Sequence, residues 1–426
     1  MKLKSTLIKS GIRYSLSSTL CSVVSMIVGF LNMRWLGPEV LGLWQSITII
    51  NSYLPFLQLG VQSGLNMDLP ILLGKEKIEE ARHAVQTGLM FAVFLSIFIL
   101  IVGSFTVLIM AFCNCSRDVC MGVGAIVLIA VIQCYRLHYI ATYRSADAFD
   151  KLSNIYFISA IVSAFLAFFI YKFGYFGLLV YSVGVQLITT LLMFVFAPYR
   201  GLKPSLFKYW LRSFLKRGVF VTFITQVQGV IDSIPRVLLL RLGGALQVGL
   251  FAPALSLGSL FNLIPNQLAQ FLQPQMGFKY GKTGKAKDMW EYLYKISFII
   301  PLFIIPISVT CWFVMPWVLG TLFPKYIESL MPIRIMLIGF VFSSSYISRS
   351  FLLTIKAYKE VGTLYIIDLI CFVTFPIVLI KTLSYSLTVS LSIGLSIAYF
   401  ITYITTFFVI RNTVFKLKYN QGAGIE

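Results

Sequence analysis

Acid is what this 426-residue sequence lacks most: Asp and Glu together number 15. Charged residues of both signs reach 12%, against about 25% in a soluble globular domain. That shortage excludes an ordinary soluble enzyme. An apolar share of 58% and a mean hydropathy of +0.87 exclude a disordered chain. There are two histidines, His83 and His138, and they stand apart, so no histidine metal cluster is indicated. No GxxxxGK[ST] segment occurs, so ATP is not bound by that route. No nucleophile lies beside a base, and no catalytic residue is assigned. Three of the seven cysteines, Cys113, Cys115 and Cys120, sit together. Their C-x-C-x4-C spacing is not a zinc pattern, and a disulfide on an oxidising surface would leave one thiol over. What the chain has in excess is base: 35 Lys and Arg, giving a net charge of +20. Such an excess marks either nucleic-acid binding or the inner loops of a membrane protein.

The positions of the cations decide between these. A helix needs about 20 apolar residues to cross a bilayer. Runs nearly free of charge cover 14–33, 40–67, 83–116, 119–135, 152–171, 173–199, 218–240, 242–278, 296–324, 335–348, 361–380 and 382–410. These twelve runs predict an all-α integral membrane protein. With the N-terminus inside and the spans alternating, Arg34, Arg117, Lys172, Arg241, Lys325 and Lys381 fall outside, and Arg136, Arg236 and Arg334 fall within spans. The other 26 of the 35 cations fall inside. That asymmetry places both termini in the cytoplasm and leaves nucleic-acid binding nothing to explain. The first run is too long for a signal peptide, and no small-residue cleavage site follows it.

A shift of 207 residues lays the chain over itself. Lys9 falls on Lys216, Gly11 on Gly218, Arg34 on Arg241, Gly37 on Gly244, Gly42 on Gly249, Leu43 on Leu250 and Gly74-Lys75 on Gly281-Lys282. The shift spans six helices, an even number, so the halves share one orientation about an axis along the membrane normal, as in many transporters. The organisation expected is a first lobe over 1–197, a basic cytoplasmic linker over 198–217 and a second lobe over 218–426. The linker has no acid and carries Tyr209 and Trp210. It reads as an amphipathic segment on the inner leaflet, where each cation gains about 1 kcal/mol from anionic lipid, or as a plain loop.

Polar residues inside the spans are few. Asn51, Gln58, Gln62 and Asn66 fall at helical spacing in the second run, and Asn262, Asn266 and Gln270 do so in the eighth. Either these amides bond helix to helix or they line a hydrated cavity, where they suit sugar hydroxyls because an amide both donates and accepts. Asp232 and Arg236 lie one turn apart in the seventh run, and Asp368 lies midway along the eleventh. A charge at mid-membrane costs about 2.5–3.5 kcal/mol. The two carboxylates therefore either hold a coupling proton or sodium ion, or are neutralised by neighbours such as Arg236. Arg136 and Arg334 lie toward span ends and either snorkel or face a cavity. Arg34 and Arg241 stand at span ends, where a guanidinium suits phosphate or caps a turn.

Four segments carry a resemblance: M-R-W-L-G-P-E-V-L-G-L-W at 33–44, L-Q-L-G-V-Q-S-G-L-N at 57–66, L-P-I-L-L-G-K at 69–75 and L-F-P-K-Y at 322–326. The sequence resembles polysaccharide-biosynthesis flippases of the Wzx type, in the multidrug/oligosaccharidyl-lipid/polysaccharide exporter superfamily. The resemblance implies two six-helix lobes around a central cavity. It implies flipping of undecaprenyl-diphosphate-linked oligosaccharide across a bacterial cytoplasmic membrane by alternating access, driven by a cation gradient. On that reading Arg236, Arg34, Arg241 and Arg136 would meet the diphosphate, the amides would meet the sugars, and Asp232 and Asp368 would take a sodium ion or proton. Partners would be the lipid-linked oligosaccharide, the bilayer and other polysaccharide-assembly proteins, with no metal or organic cofactor. The alternatives are a MATE-type drug/cation antiporter and, from another class, a membrane-embedded glycosyltransferase or polymerase.

Overall fold

The computed structural model describes the backbone of residues 2–283, 287–343, 349, 351–352, 355 and 357–422. Side chains are described from residue 13 onward, except 264, 267, 269–275, 277–289, 291–292 and those beyond 415. The described residues contain helices and no strand. In hydrocarbon the backbone must satisfy its own hydrogen bonds, and helices do so within one segment. In order they are α1 (Lys2–Trp35), α2 (Pro38–Ile47), a 3-10 turn (Thr48–Ser52), α3 (Leu54–Leu57), α4 (Val61–Gly74), α5 (Ile78–Phe112), α6 (Arg117–Ser145) and α7 (Phe149–Val195). Then follow α8 (Lys208–Leu250), α9 (Ala252–Thr283), α10 (Lys287–Leu322), a second 3-10 turn (Pro324–Ser329), α11 (Leu330–Val341), α12 (Tyr358–Thr382) and α13 (Leu387–Gly422).

Among the described residues eight helices are long and apolar enough to cross a membrane, or nine when α8 and the start of α9, bent by 72°, are taken as one broken span. The twelve expected runs nevertheless fall on these helices as far as they are described, the tenth over 335–341 with 344–348 outside the described residues. At about 1.5 Å per residue, the 47 residues of α7 are too long for one crossing. Gly174, at φ 56° and ψ −125°, folds α7 back on itself. A Cβ on Gly177 would lie 2.0 Å from the Phe169 carbonyl oxygen. Thr189 donates to Ser159 at 2.9 Å, and the Ser163 and Tyr181 hydroxyls are 2.8 Å apart. These pairs close an antiparallel hairpin, the fifth and sixth spans. The eighth and tenth runs correspond to the amide-bearing α9 and the 12-residue α11, which account for the lower count by length and hydropathy.

The chain divides into two compact units. The first comprises Met1–Leu36 and Leu43–Val230, the second Gly37–Gly42 and Ile231–Glu426. The division falls inside α8, so the basic segment and the start of the expected second half pack with the first unit. In that unit α1 packs on α7, α6 lies between α5 and α7, and α4 lies on α5 and α6. Small residues make the close contacts: Ala81, Ala84, Gly88 and Ala92 are buried on α5, while Phe94, Phe98, Ile101, Phe105 and Phe112 on the same helix are exposed. Membrane helices associate through such small-residue faces, because lipid supplies no hydrophobic drive between them. In the second unit α12 packs along α13, and α11 lies among α9, α10 and α13. The buried Ser329 hydroxyl donates to the Leu250 carbonyl oxygen there.

Two glycine contacts fix the closest approaches. In the second unit, a Cβ on Gly42 would lie 1.9 Å from the Ala245 carbonyl oxygen and 2.7 Å from the Gly249 nitrogen. Gly42 and Gly249 are the pair that the 207-residue shift aligns, and they touch each other. In the first unit, a Cβ on Gly218 would lie 1.9 Å from the Gly60 carbonyl oxygen, where α8 crosses the start of α4. Both partners there are backbone and cannot give way. Gly218→Val is expected to lower the melting temperature of the detergent-solubilised protein, with a loss of about 1–3 kcal/mol or more. Gly29→Ala, with nothing within 4 Å, is expected to melt as the parent does or higher. Equal melting of the two variants would contradict the contact.

Candidate functional site

Each unit carries one strongly polar centre in its interior. In the first, Arg136 on α6 faces the second limb of α7 and donates a hydrogen bond to the Gln186 side-chain oxygen. The guanidinium is half-buried, and its Nε is buried with no hydrogen-bond partner. Its charge reaches Cys21 on α1 and Tyr156 on the first limb of α7. Hydroxyls extend the polar interior. The Ser96 and Tyr135 hydroxyls are 3.0 Å apart, and those of Ser17 and Ser153 are 2.7 Å apart. Among the described residues no carboxylate pairs with Arg136. The ion pairs of this unit among the described residues include Arg13–Asp150, Lys77–Glu80, Arg82–Glu79 and Arg217–Asp68.

In the second unit Asp368 on α12 is 2% exposed and receives both terminal nitrogens of Arg349, itself 5% exposed. Arg349 also donates to the Thr406 hydroxyl on α13 at 3.1 Å, and its guanidinium carbon stands 5.8 Å from the centre of the Tyr365 ring. This is the forked geometry that makes Arg–carboxylate pairs strong. Tyr399 on α13 lies within electrostatic range of both Asp232 and Asp368. Asp232 is exposed and Arg236 half-buried, and each has an interaction partner. Arg334 stacks on Trp312 at 5.4 Å.

Several sequence expectations need correction. Arg349 does not belong with the exposed inner-side cations; it neutralises Asp368 inside the helix bundle. Asp232 and Asp368 are not the only deep carboxylates. Asp68, 4% exposed, is bonded at 2.6 Å to Arg217 and at 3.2 Å to the Ser213 hydroxyl. The expected second span stopped one residue short of it. The amides of that span do not share one helical face, because Leu59 and Gly60, both at positive φ, break the helix between Gln58 and Val61. Gln62 is buried and donates to the Gly88 carbonyl oxygen at 3.0 Å, bonding helix to helix, with its own oxygen left unpaired. Gln58 is buried, Asn51 is half-buried with its oxygen unpaired, and Asn66 is exposed. On α9, Asn262 and Asn266 are half-buried, whereas the Gln270 side chain lies outside the described residues. Arg34 is exposed in the last turn of α1, and Arg241 is exposed within α8, three residues before the kink at Gly244. The three clustered cysteines carry free thiols. Gln186 was missed; a lone amide in an otherwise apolar span was the available signal.

This all-helical, multi-pass arrangement has the fold of solved proteins of the multidrug/oligosaccharidyl-lipid/polysaccharide (MOP) superfamily. A solved structure described as an inward-facing multidrug resistance MATE family transporter of that superfamily superposes with TM-score 0.78 at 17% identity, covering 96% of this chain and 99% of the other. A structure described as an outward-facing conformation of a multidrug resistance MATE family transporter gives 0.70 at 17% identity and covers 96% of each chain. A MOP superfamily transporter from Pyrococcus furiosus, described as having a binding pocket of reverse polarity that suggests a different function, gives 0.69 at 16% identity and covers 96% of each chain. No curated protein matches. The profile of a family described as "Polysaccharide biosynthesis protein" matches residues 33–331, and the chain belongs to that family.

The buried pair yields a test. Removing one partner strands the other charge, which costs about 3–5 kcal/mol, whereas replacing both with apolar residues is often neutral. Arg349→Met alone is expected to lower the melting temperature sharply, and Arg349→Met with Asp368→Leu to restore much of the loss. A double variant no better than the single one would show that the two charges act independently.

Proposed function

We propose that this transporter flips a polyprenyl-diphosphate-linked oligosaccharide, the undecaprenyl-diphosphate repeat unit of a surface polysaccharide, from the inner to the outer leaflet of a bacterial cytoplasmic membrane. One observation carries the reading. Arg136 is a guanidinium inside the first unit that no carboxylate neutralises among the described residues, and one of its donors is buried and unused. A site of that polarity attracts an anion and repels a cation. A diphosphate supplies the charge, and a planar guanidinium meets phosphate through two parallel hydrogen bonds. Membership of a polysaccharide-biosynthesis family supports the oligosaccharide part of the reading.

The other residues take subordinate roles. Arg236 is a further phosphate contact within the second unit, and Arg34 and Arg241 are phosphate contacts toward the span ends. Asn51, Gln58, Gln62, Asn66, Asn262, Asn266 and Gln270 are the amides offered to sugar hydroxyls, Gln62 with only its oxygen free. Asp232 and Asp368, around Tyr399, form the coupling centre for a proton or sodium ion. A cation there competes with Arg349 for Asp368, so its arrival and departure shift helix α12 relative to residue 349. Alternating access follows when that shift is coupled to substrate binding.

The MATE neighbours make drug/cation antiport the second reading. A cationic drug wants bare acids, and here both buried carboxylates, Asp68 and Asp368, are held by arginine. A glycosyltransferase wants catalytic residues on a large outer loop. The connections on the expected outer side are short: 36–37, 113–116, residue 251, 323–329 and 383–386.

Loss of a charge-assisted hydrogen bond costs about 1.5–3 kcal/mol, tenfold or more in an affinity. Arg136→Gln is therefore expected to reduce flipping of the lipid-linked oligosaccharide about tenfold, with Arg136→Lys keeping part of it. Unchanged transport by Arg136→Gln would remove the diphosphate from this site. In a strain with no second flippase, deleting the gene is expected to trap lipid-linked repeat units on the inner leaflet. Normal surface polysaccharide in that strain would overturn the assignment.

A further inference from the structure

The basic segment before the seventh span is non-helical only over 198–207. From Lys208 it is the first three turns of α8, and its two faces differ. One face is anchored: Trp210 and Phe214 are buried against Leu65, Leu69, Ala84 and Val85, and Arg217 is bonded to Asp68. The opposite face is open. Lys208, Arg212 and Lys216 follow one another at intervals of four, a row rising about 6 Å per step. Leu211, Leu215 and Val219 form a second row beside them. Together with Phe220 and Phe223 the two rows line a cavity of about 980 Å³.

The three cations are uncompensated. Among the described residues none of them forms an ion pair, and no Asp or Glu occurs anywhere in the sequence from 151 to 231. Like charges four residues apart on a helix repel. A protein that keeps such a row on a helix already held from behind has an anion to meet in front. The neighbouring row dictates its kind: Phe223 is 60% exposed and Phe220 54%, which suits an acyl chain and not a free ion.

We propose that this face of α8 is a binding site for an acidic phospholipid of the inner leaflet. Its phosphate sits among Lys208, Arg212 and Lys216, and an acyl chain lies along Leu211, Leu215, Val219 and Phe223. The inference rests on the reading that the start of α8 faces the cytoplasmic leaflet, and it goes beyond the transported substrate. The bound lipid neutralises the row and steadies the stretch of α8 that enters the seventh span.

The experiment uses full-length protein reconstituted in bilayers containing spin-labelled phosphatidylglycerol or spin-labelled phosphatidylcholine. The parent is expected to retain phosphatidylglycerol preferentially, by about fivefold or more, a preference weakened by salt. K208Q/R212Q/K216Q is expected to fall to near parity while keeping its helical circular dichroism. K75Q/K151Q/K359Q, which removes the same charge from other helix ends, is expected to keep the preference. No preference in the parent, or equal loss in both triple variants, would overturn the site. Displacement of the lipid by millimolar inorganic phosphate would assign the row to a free ion and overturn the lipid. Retention does not depend on which way the protein inserts, so thiol labelling of Tyr209→Cys from one side of the membrane tests the orientation separately. Oligosaccharide flipping, measured alongside, tests the transport reading on its own.

Discussion

The cost of a bare charge in hydrocarbon, about 2.5–3.5 kcal/mol on insertion scales, governs this structure above the level of the single helix. The helices exist because backbone polar groups must be paired within one segment. The charges that remain inside are paired as well. Asp368 is held by Arg349, which also donates to Thr406, across three segments of the second unit, and Asp68 is held by Arg217 and Ser213 in the first. Among the described residues Arg136 and Arg334 depart from that rule: Arg136 has a neutral amide where the others have a counter-ion, and Arg334 has an aromatic ring. The proposal of an anionic cargo rests on Arg136, whose partner is a hydrogen-bonding group.

Close packing sets where such charges can be. Gly60 and Gly218 bring α4 and α8 together so tightly that backbone meets backbone. That contact places Arg217 beside Asp68 and seats Trp210 and Phe214 in the first unit's core. It also turns the cationic row of α8 away from the protein. In the second unit, Gly42 and Gly249 make a similarly close approach, and these two are the glycines that the 207-residue shift aligns with each other.

Much of the fold was legible in the sequence. Charge-free runs placed the helices, and the family segments at 33–44 and 57–75 agree with the profile that covers 33–331. Hydropathy has no sense of direction, however. It could not show that Gly174 reverses one 47-residue helix, or that Leu59 and Gly60 break the second span and scatter its amides. The site was legible only in part. Asp232 and Asp368 were found because a carboxylate in an apolar run is rare. Arg349 was not, because a cation at the end of a run looks the same whether it faces water or turns inward to an acid 19 residues on. Arg136 ranked below Arg236, Arg34 and Arg241 because its want of a counter-ion is a property of three dimensions. The α8 segment was read as basic and amphipathic, which it is, but not as a helix with one face already occupied.

The central claim is that the transported group is anionic. Proteoliposomes of the purified protein can be loaded, in parallel, with a polyprenyl-diphosphate-linked oligosaccharide and with a lipophilic cationic drug under the same imposed proton or sodium gradient. The account predicts transbilayer movement of the diphosphate-linked lipid, lost with Arg136→Gln, and no gradient-dependent movement of the drug. Drug transport without movement of the lipid, unaffected by Arg136→Gln, would contradict it.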